Sequence, residues 1–139
     1  MSEPLLLDTH CWIWMQFGLM DHFTPAGRDA VREASRNNNL WLSVISIWEV
    51  GLLESKGRLA LFMSCERWVE EALAMPGLRV AQITPRITIH STRLPGEFHG
   101  DPADRILVAT ARIEGARLMT KDRRILSYGR AKHVSVLHA

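Results

Sequence analysis

Five short apolar runs separated by stretches of helical spacing constrain this chain more than any other feature. Leu5-Leu6-Leu7, Leu40 to Val44, Leu78 to Ile83, Arg117 to Thr120 and Val134 to Leu137 each read as a strand. Helices fill the intervals. Thr9 to Phe17 carries Cys11, Trp12, Met15 and Phe17 at helical spacing. Thr24-Pro25 opens a second helix, because proline suits the first helical position, and Asn37-Asn38-Asn39 stops it. Ile45 to Lys56 continues from the second strand as a helix, with Gly57 as its C-terminal cap. Ser64 to Met75 gathers Trp68, Val69, Ala72 and Leu73 on one face and ends at Pro76-Gly77. Pro85 to Leu94 is a weaker helix, since Ile87, Thr88, Ile89 and Thr92 are β-branched, and Pro95-Gly96 ends it. Asp101-Pro102 opens the strongest helix, through Ile113, and Asp122 to Tyr128 is the last. Strands alternating with helices predict an α/β sandwich around a mainly parallel sheet.

At 139 residues with 47% hydrophobic content, the chain has the size of one domain with a substantial core, and no repeat or linker divides residues 1–139. Its longest apolar stretch, Leu40 to Leu53, is interrupted by Ser43, Ser46 and Glu49 and falls short of the ~20 residues a membrane helix needs. Met1-Ser2-Glu3-Pro4 lacks the basic start and cleavage site of a secretory signal, so a cytoplasmic location is expected. Cys11 and Cys65 form neither a CxxC pair nor a disulfide pattern, which predicts two packing thiols and no zinc site.

Four carboxylates sit where surface acids are seldom found. Asp8 closes the first apolar run, Glu49 interrupts the third helix between Ile47-Trp48 and Val50, Asp104 precedes Ile106-Leu107-Val108-Ala109, and Asp122 follows Leu118-Met119-Thr120. Parallel strands point their C-terminal ends toward one edge, where open α/β sheets place ligands, and Asp8 and Asp122 both lie just past strand ends. Brought together, the four acids would form an all-oxygen site for a hard divalent cation. Each has a local alternative. Asp8 and Asp122 can cap the helices they precede, while Asp101, Pro102 and Asp104 look like a variant capping box. Glu49 is different because it lies mid-helix on a face shared with core residues, so its charge needs a cation, a donor network or a proton. Asp101 and Asp104 share a helical face, and close acids repel unless a cation lies between them.

The remaining polar candidates are secondary. Thr9, Ser46 and Thr120 are the hydroxyls placed to donate to carboxylates or to cap locally. His10 and His99 are read as surface or second-row residues. Trp12, Trp14, Trp41, Trp48 and Trp68 are expected in the core, except that Trp12 and Trp14 cannot both face inward on one helix. The net charge of +2 is modest. If several acids surround a metal, the remaining surface is more basic, and Arg105, Arg112, Arg117, Lys121, Arg123, Arg124, Arg130 and Lys132 crowd the C-terminal third. Solvated helix faces are the alternative for these.

Four segments, Leu5-Leu6-Leu7-Asp8-Thr9-His10, Ser46-Ile47-Trp48-Glu49-Val50, His99 through Ala111, and Leu118-Met119-Thr120-Lys121-Asp122, resemble in their order the PIN-domain nucleases, in particular the VapC-like toxins of toxin–antitoxin pairs. The resemblance implies an endoribonuclease dependent on Mg²⁺ or Mn²⁺, with its acidic quartet at Asp8, Glu49, Asp104 and Asp122. Asp8 and Asp104 would be primary ligands, Glu49 a ligand or water-positioning base, and Asp122 a ligand through water or for a second ion. Asp101 is then an auxiliary acid, and Arg105, Arg123 and Arg124 are candidate RNA contacts. The resemblance also implies a DNA-binding VapB-like antitoxin as partner and a homodimer. One departure is the small Ala103 beside Asp104, where related sequences often carry a bulky aromatic. Two rivals stay open: a PIN-like RNA-processing nuclease without an antitoxin, and a non-catalytic module that binds RNA or a partner.

Overall fold

The structure, a computed structural model, describes residues 3–139. Strand β1 (Leu5–Leu7) leads into α1 (Thr9–Gln16), a 3-10 turn at Met20–His22 and α2 (Pro25–Arg36). Then follow β2 (Leu40–Ser43), α3 (Val44–Ser55), α4 (Cys65–Leu73), β3 (Leu78–Ala81) and α5 (Pro85–Ser91). The chain closes with α6 (Pro102–Glu114), β4 (Arg117–Thr120), α7 (Arg123–Arg130) and β5 (Val136–His138). The strands form one sheet in the order β3-β2-β1-β4-β5, and every pairing is parallel. The expected mainly parallel sheet is therefore wholly parallel among the described residues.

Because side chains alternate across a strand, β1 divides its three leucines between two layers. Leu5 and Leu7 join Cys11, Trp12, Val31, Val50 and Trp68 under α1, α2, α3 and α4. Leu6 joins Ile87, Leu107, Val108, Ile125 and Tyr128 under α5, α6 and α7. Burial on both faces explains why β1 reads as a continuous apolar run rather than an alternating one. Removing a β1 leucine side chain would open a cavity in one layer or the other, at a cost of about 2–5 kcal/mol.

Local signals set the element ends. Thr24 accepts from the Gly27 N–H and Pro25 occupies the first turn of α2, while Ser64 caps α4 through the Arg67 N–H. Gly57 follows α3 with φ of 70° and its N–H donates to the Glu54 carbonyl, as its capping role predicts. At Gly77 a side chain is excluded, since a Cβ there would lie 2.1 Å from the Ser35 carbonyl oxygen.

Some boundaries shift from expectation. The last strand starts at Val136 rather than Val134, whose side chain is instead buried in the second layer. Helix α5 stops at Ser91, and β3 at Ala81. The tryptophans also divide: Trp12 and Trp68 are buried, but Trp48 is 57% exposed, which corrects its assignment to the core. Among the described residues, no helix is long and apolar enough to cross a membrane.

Candidate metal centre

The parallel topology carries β1, β2 and β4 to the same sheet edge, and the functional side chains begin where those strands end. Leu7 pairs with Leu42 on one side and Met119 on the other, so Asp8, Ser43 and Thr120 are the next residues out. The Asp8 N–H donates to the Met119 carbonyl at 2.9 Å, which fixes the start of α1 against the end of β4.

Asp8 is almost fully buried. Its Oδ1 accepts from the Thr9 N–H at 2.8 Å, and its Oδ2 accepts from the Thr120 hydroxyl at 2.6 Å. His10 Nδ1 is 3.6 Å from the same Oδ2. The Thr9 hydroxyl donates to Glu49 and is hydrogen-bonded to Ser46 Oγ at 2.8 Å. Ser46 and Glu49 reach Thr9 because three residues on a helix return to nearly the same face. Glu49 is thus half-buried at the site rather than in the apolar interior, and burial raises its pKa, with Asp8 and Asp101 adding to the rise and the Thr9 hydrogen bond opposing it.

Asp101 is the N-cap of α6, accepting from the N–H groups of Ala103 and Asp104. Asp104 does not complete a capping box. Its Oδ2 turns instead to His99 Nε2, 3.3 Å away, and the Asp101 N–H that a capping box would satisfy donates to His99 Nδ1, also at 3.3 Å. Asp122 caps α7 through Oδ1, which accepts from Arg124 and Ile125, and its own N–H donates to Thr120 Oγ1. Thr120 therefore ties the first acid to the last. Capping and cation binding are compatible, because a carboxylate has two oxygens and the caps of Asp101 and Asp122 use one of them.

Electrostatics ties the acids together. Burial pushes the Asp104 carboxyl up to about 8, and the neighbouring charges of Asp8, Asp101, Asp122 and Glu49 add to the rise. Ligand atoms of His99, Asp104 and Asp122 lie within 4.8 Å of one another. Burial and four neighbouring acids leave Asp104 holding a proton at neutral pH unless a cation replaces it, so the donor set fits a divalent metal.

His99, read from the sequence as a surface or second-row residue near the site, is largely buried and stands beside Asp104. It stands five positions before Asp104 in a loop whose path the local sequence does not specify. That path depends on Arg105, whose Nε donates to the Ser91 carbonyl at 2.8 Å and whose guanidinium also donates to the carbonyls of Phe98 and His99 at 3.0 and 3.1 Å. Arg105, expected among the RNA contacts, is thus occupied as a clamp on this loop. Arg123 and Arg124 are exposed at the start of α7, with Arg124 3.4 Å from His99 Nδ1. Ala103 is buried at the first turn of α6. A cavity of about 740 Å³ lined by His90, Arg112, Lys132 and His133 opens at the other end of the sheet, away from these acids.

Parallel α/β/α layers with a carboxylate cluster at the C-terminal sheet edge define the class, and residues 5–131 match the PIN domain family. The chain belongs to that family. It is 33% identical over 132 residues to Ribonuclease VapC22 of Mycobacterium tuberculosis, an alignment covering 95% of this chain and 97% of that one. Its fold is also that of the crystal structure of VapBC2 from Rickettsia felis bound to a promoter DNA fragment, with a TM-score of 0.68 at 14% identity over 96% of this chain and 97% of that one. DNA-bound VapBC from Salmonella typhimurium is similar, with a TM-score of 0.67 at 15% identity and 98% of each chain covered.

Proposed function

We propose that this protein is a VapC-like toxin, an endoribonuclease that cleaves RNA phosphodiester bonds at its acidic centre and is restrained by a VapB-like antitoxin. The observation that carries the reading is the convergence of Asp8, Glu49, Asp101 and Asp122 on the half-buried Asp104, whose carboxyl is pushed up to about 8 by burial with those four charges adding to the rise. The similarity to a protein named as a VapC ribonuclease supports the activity, and the VapBC complexes among its structural neighbours support the partner.

Asp8 and Asp104 would be the primary ligands for Mg²⁺ or Mn²⁺, with Glu49 and Asp122 completing the set. Held by these carboxylates, a divalent ion would supply a water of lowered pKa and positive charge against the phosphate oxygens. No side-chain nucleophile is required. The protein's own part is orientation. Thr120 holds one oxygen of Asp8, and Thr9, backed by Ser46, holds Glu49. Arg123 and Arg124, exposed beside Asp122 with no carboxylate partner among the described residues, supply phosphate contacts for an RNA strand laid over the open edge.

The antitoxin reading draws on exposed apolar side chains. Phe17, Leu19, Phe62 and Met63 lie open around the end of α1 and the loop before α4. An amphipathic helix laid there would cover them. Self-association as a homodimer belongs to the same proposal. The test is to map new RNA ends after brief expression of the wild type, of Glu49→Gln, and of the wild type with the neighbouring small gene product. Discrete new ends with the wild type alone are expected. Identical ends with Glu49→Gln, or no suppression by the neighbour, would overturn the nuclease or the antitoxin half respectively.

A further inference from the structure

His99 has an imidazole held by contacts that the ligand set leaves unexplained. Its loop is clamped through the carbonyls of Phe98 and His99 by Arg105, and its ring packs on Phe98 with centroids 4.3 Å apart. The side chain is 16% exposed, and its Nε2 is buried without a well-formed hydrogen bond. Asp104 Oδ2 lies 3.3 Å from that nitrogen. A buried imidazole N–H left unpaired is costly, and catalytic hydrogen bonds are often long before the complex forms.

The tautomer follows from the other nitrogen. Nδ1 lies 3.3 Å from the Asp101 N–H, which can only donate, so Nδ1 accepts and carries no hydrogen. A neutral imidazole has one N–H, and here it belongs to Nε2. A nitrogen bearing hydrogen cannot ligate a metal. It can hold a carboxylate that does.

We propose that His99 is a positioning residue for Asp104, donating Nε2–H to Oδ2 and leaving Oδ1 to face the cation, with Arg105 and the Asp101 peptide fixing the ring. The proposal rests on the reading of the acids as a metal centre. It adds a nitrogen donor behind the all-oxygen ligand set. Partners of this kind change metal affinity by about 10–100-fold when removed.

The test is a Mn²⁺ titration followed by electron paramagnetic resonance of the free ion, on the wild type, His99→Gln, His99→Asn, His99→Ala and Asp104→Asn. The amide nitrogen of glutamine reaches the place of Nε2, whereas that of asparagine reaches only the place of Nδ1. His99→Gln is therefore expected to bind Mn²⁺ within about three-fold of the wild type, while His99→Asn and His99→Ala weaken binding by about 10–100-fold. Circular dichroism of the metal-free variants checks folding, and if His99→Ala does not fold, the Gln and Asn pair, close in size, carries the comparison. Equal binding by the wild type and His99→Asn, or equal weakening in Gln and Asn, would overturn the proposal. So would nitrogen hyperfine coupling to bound Mn²⁺ that vanishes in His99→Gln, since that would make His99 a ligand. If Asp104→Asn binds Mn²⁺ as the wild type does, the metal-centre reading fails; if only Asp104→Asn loses binding, the His99 inference fails alone.

Discussion

Replacing Asp104 by asparagine should stabilise the metal-free protein, and by more at high pH than at low. In the folded chain the Asp104 carboxyl is held near 8 by burial and by the surrounding acids, against 3.8 for the free side chain. Between those values the unfolded chain is ionised and the folded one keeps its proton, so the folded state binds more protons and stability falls as pH rises. The stability contributed by the proton is fully present below 3.8 and is lost as pH climbs through about 8. The slope cannot exceed about 1.36 kcal/mol per pH unit, so the wild type can lose at most about 4 kcal/mol between pH 5 and pH 8 through this group. Asparagine does not titrate. At about 3 °C per kcal/mol for a chain of this size, the advantage of Asp104→Asn should widen by as much as ~12 °C over that interval, and by several degrees even if the neighbouring acids share the proton. Differential scanning calorimetry in EDTA at both pH values reads this directly. Mn²⁺ should narrow that advantage, because a ligand confined to the native state adds about 2.7 kcal/mol at one hundred times its dissociation constant. Parallel melting curves for the two proteins from pH 5 to pH 8 would refute the electrostatic account of the site.

Three further outcomes follow from individual hydrogen bonds and charges. Thr120→Val removes the hydroxyl that donates to buried Asp8 and accepts from the Asp122 N–H, so urea denaturation should show a drop of about 1–3 kcal/mol, and a drop under about 0.5 would mean the hydroxyl is dispensable. Arg105→Met breaks three hydrogen bonds to carbonyls and should lower stability by about 2–4 kcal/mol while leaving the salt dependence of RNA binding unchanged; a shallower salt slope would return Arg105 to the RNA surface. In the double variant Arg123→Ala, Arg124→Ala, the slope of log K against log salt should fall by about 1.4, or about 0.7 for each single-strand phosphate no longer neutralised, and an unchanged slope removes both residues from the interface.

The parts of the fold that rest on short-range chemistry were legible in the sequence. The Leu5–Leu7 run, the Thr24-Pro25 and Asp101-Pro102 helix starts and the Gly57 cap each follow from residues within a few positions, and each appears where its chemistry places it. The last strand was misplaced because Val134 is apolar for a different reason, filling the second layer before the chain enters the sheet. Trp48 was misread because hydrophobicity does not reveal which face of α3 meets the core. At the site, the sequence supplied the acids because a carboxylate inside an apolar segment is conspicuous. It placed His99 near the site but could not supply its contact with Asp104 Oδ2, since that pairing depends on a loop path set by Arg105 and Ser91, fourteen residues apart.

The central claim is that these carboxylates bind a divalent cation and through it cleave RNA. It is tested most directly by incubating purified protein with single-stranded RNA in Mg²⁺, Mn²⁺ or EDTA, beside an Asp8→Asn variant shown by calorimetry to be folded. Cleavage by the wild type in either metal, its loss in EDTA and its loss in Asp8→Asn are the predicted results. Cleavage that persists in EDTA, or at the wild-type rate in folded Asp8→Asn, would contradict the account.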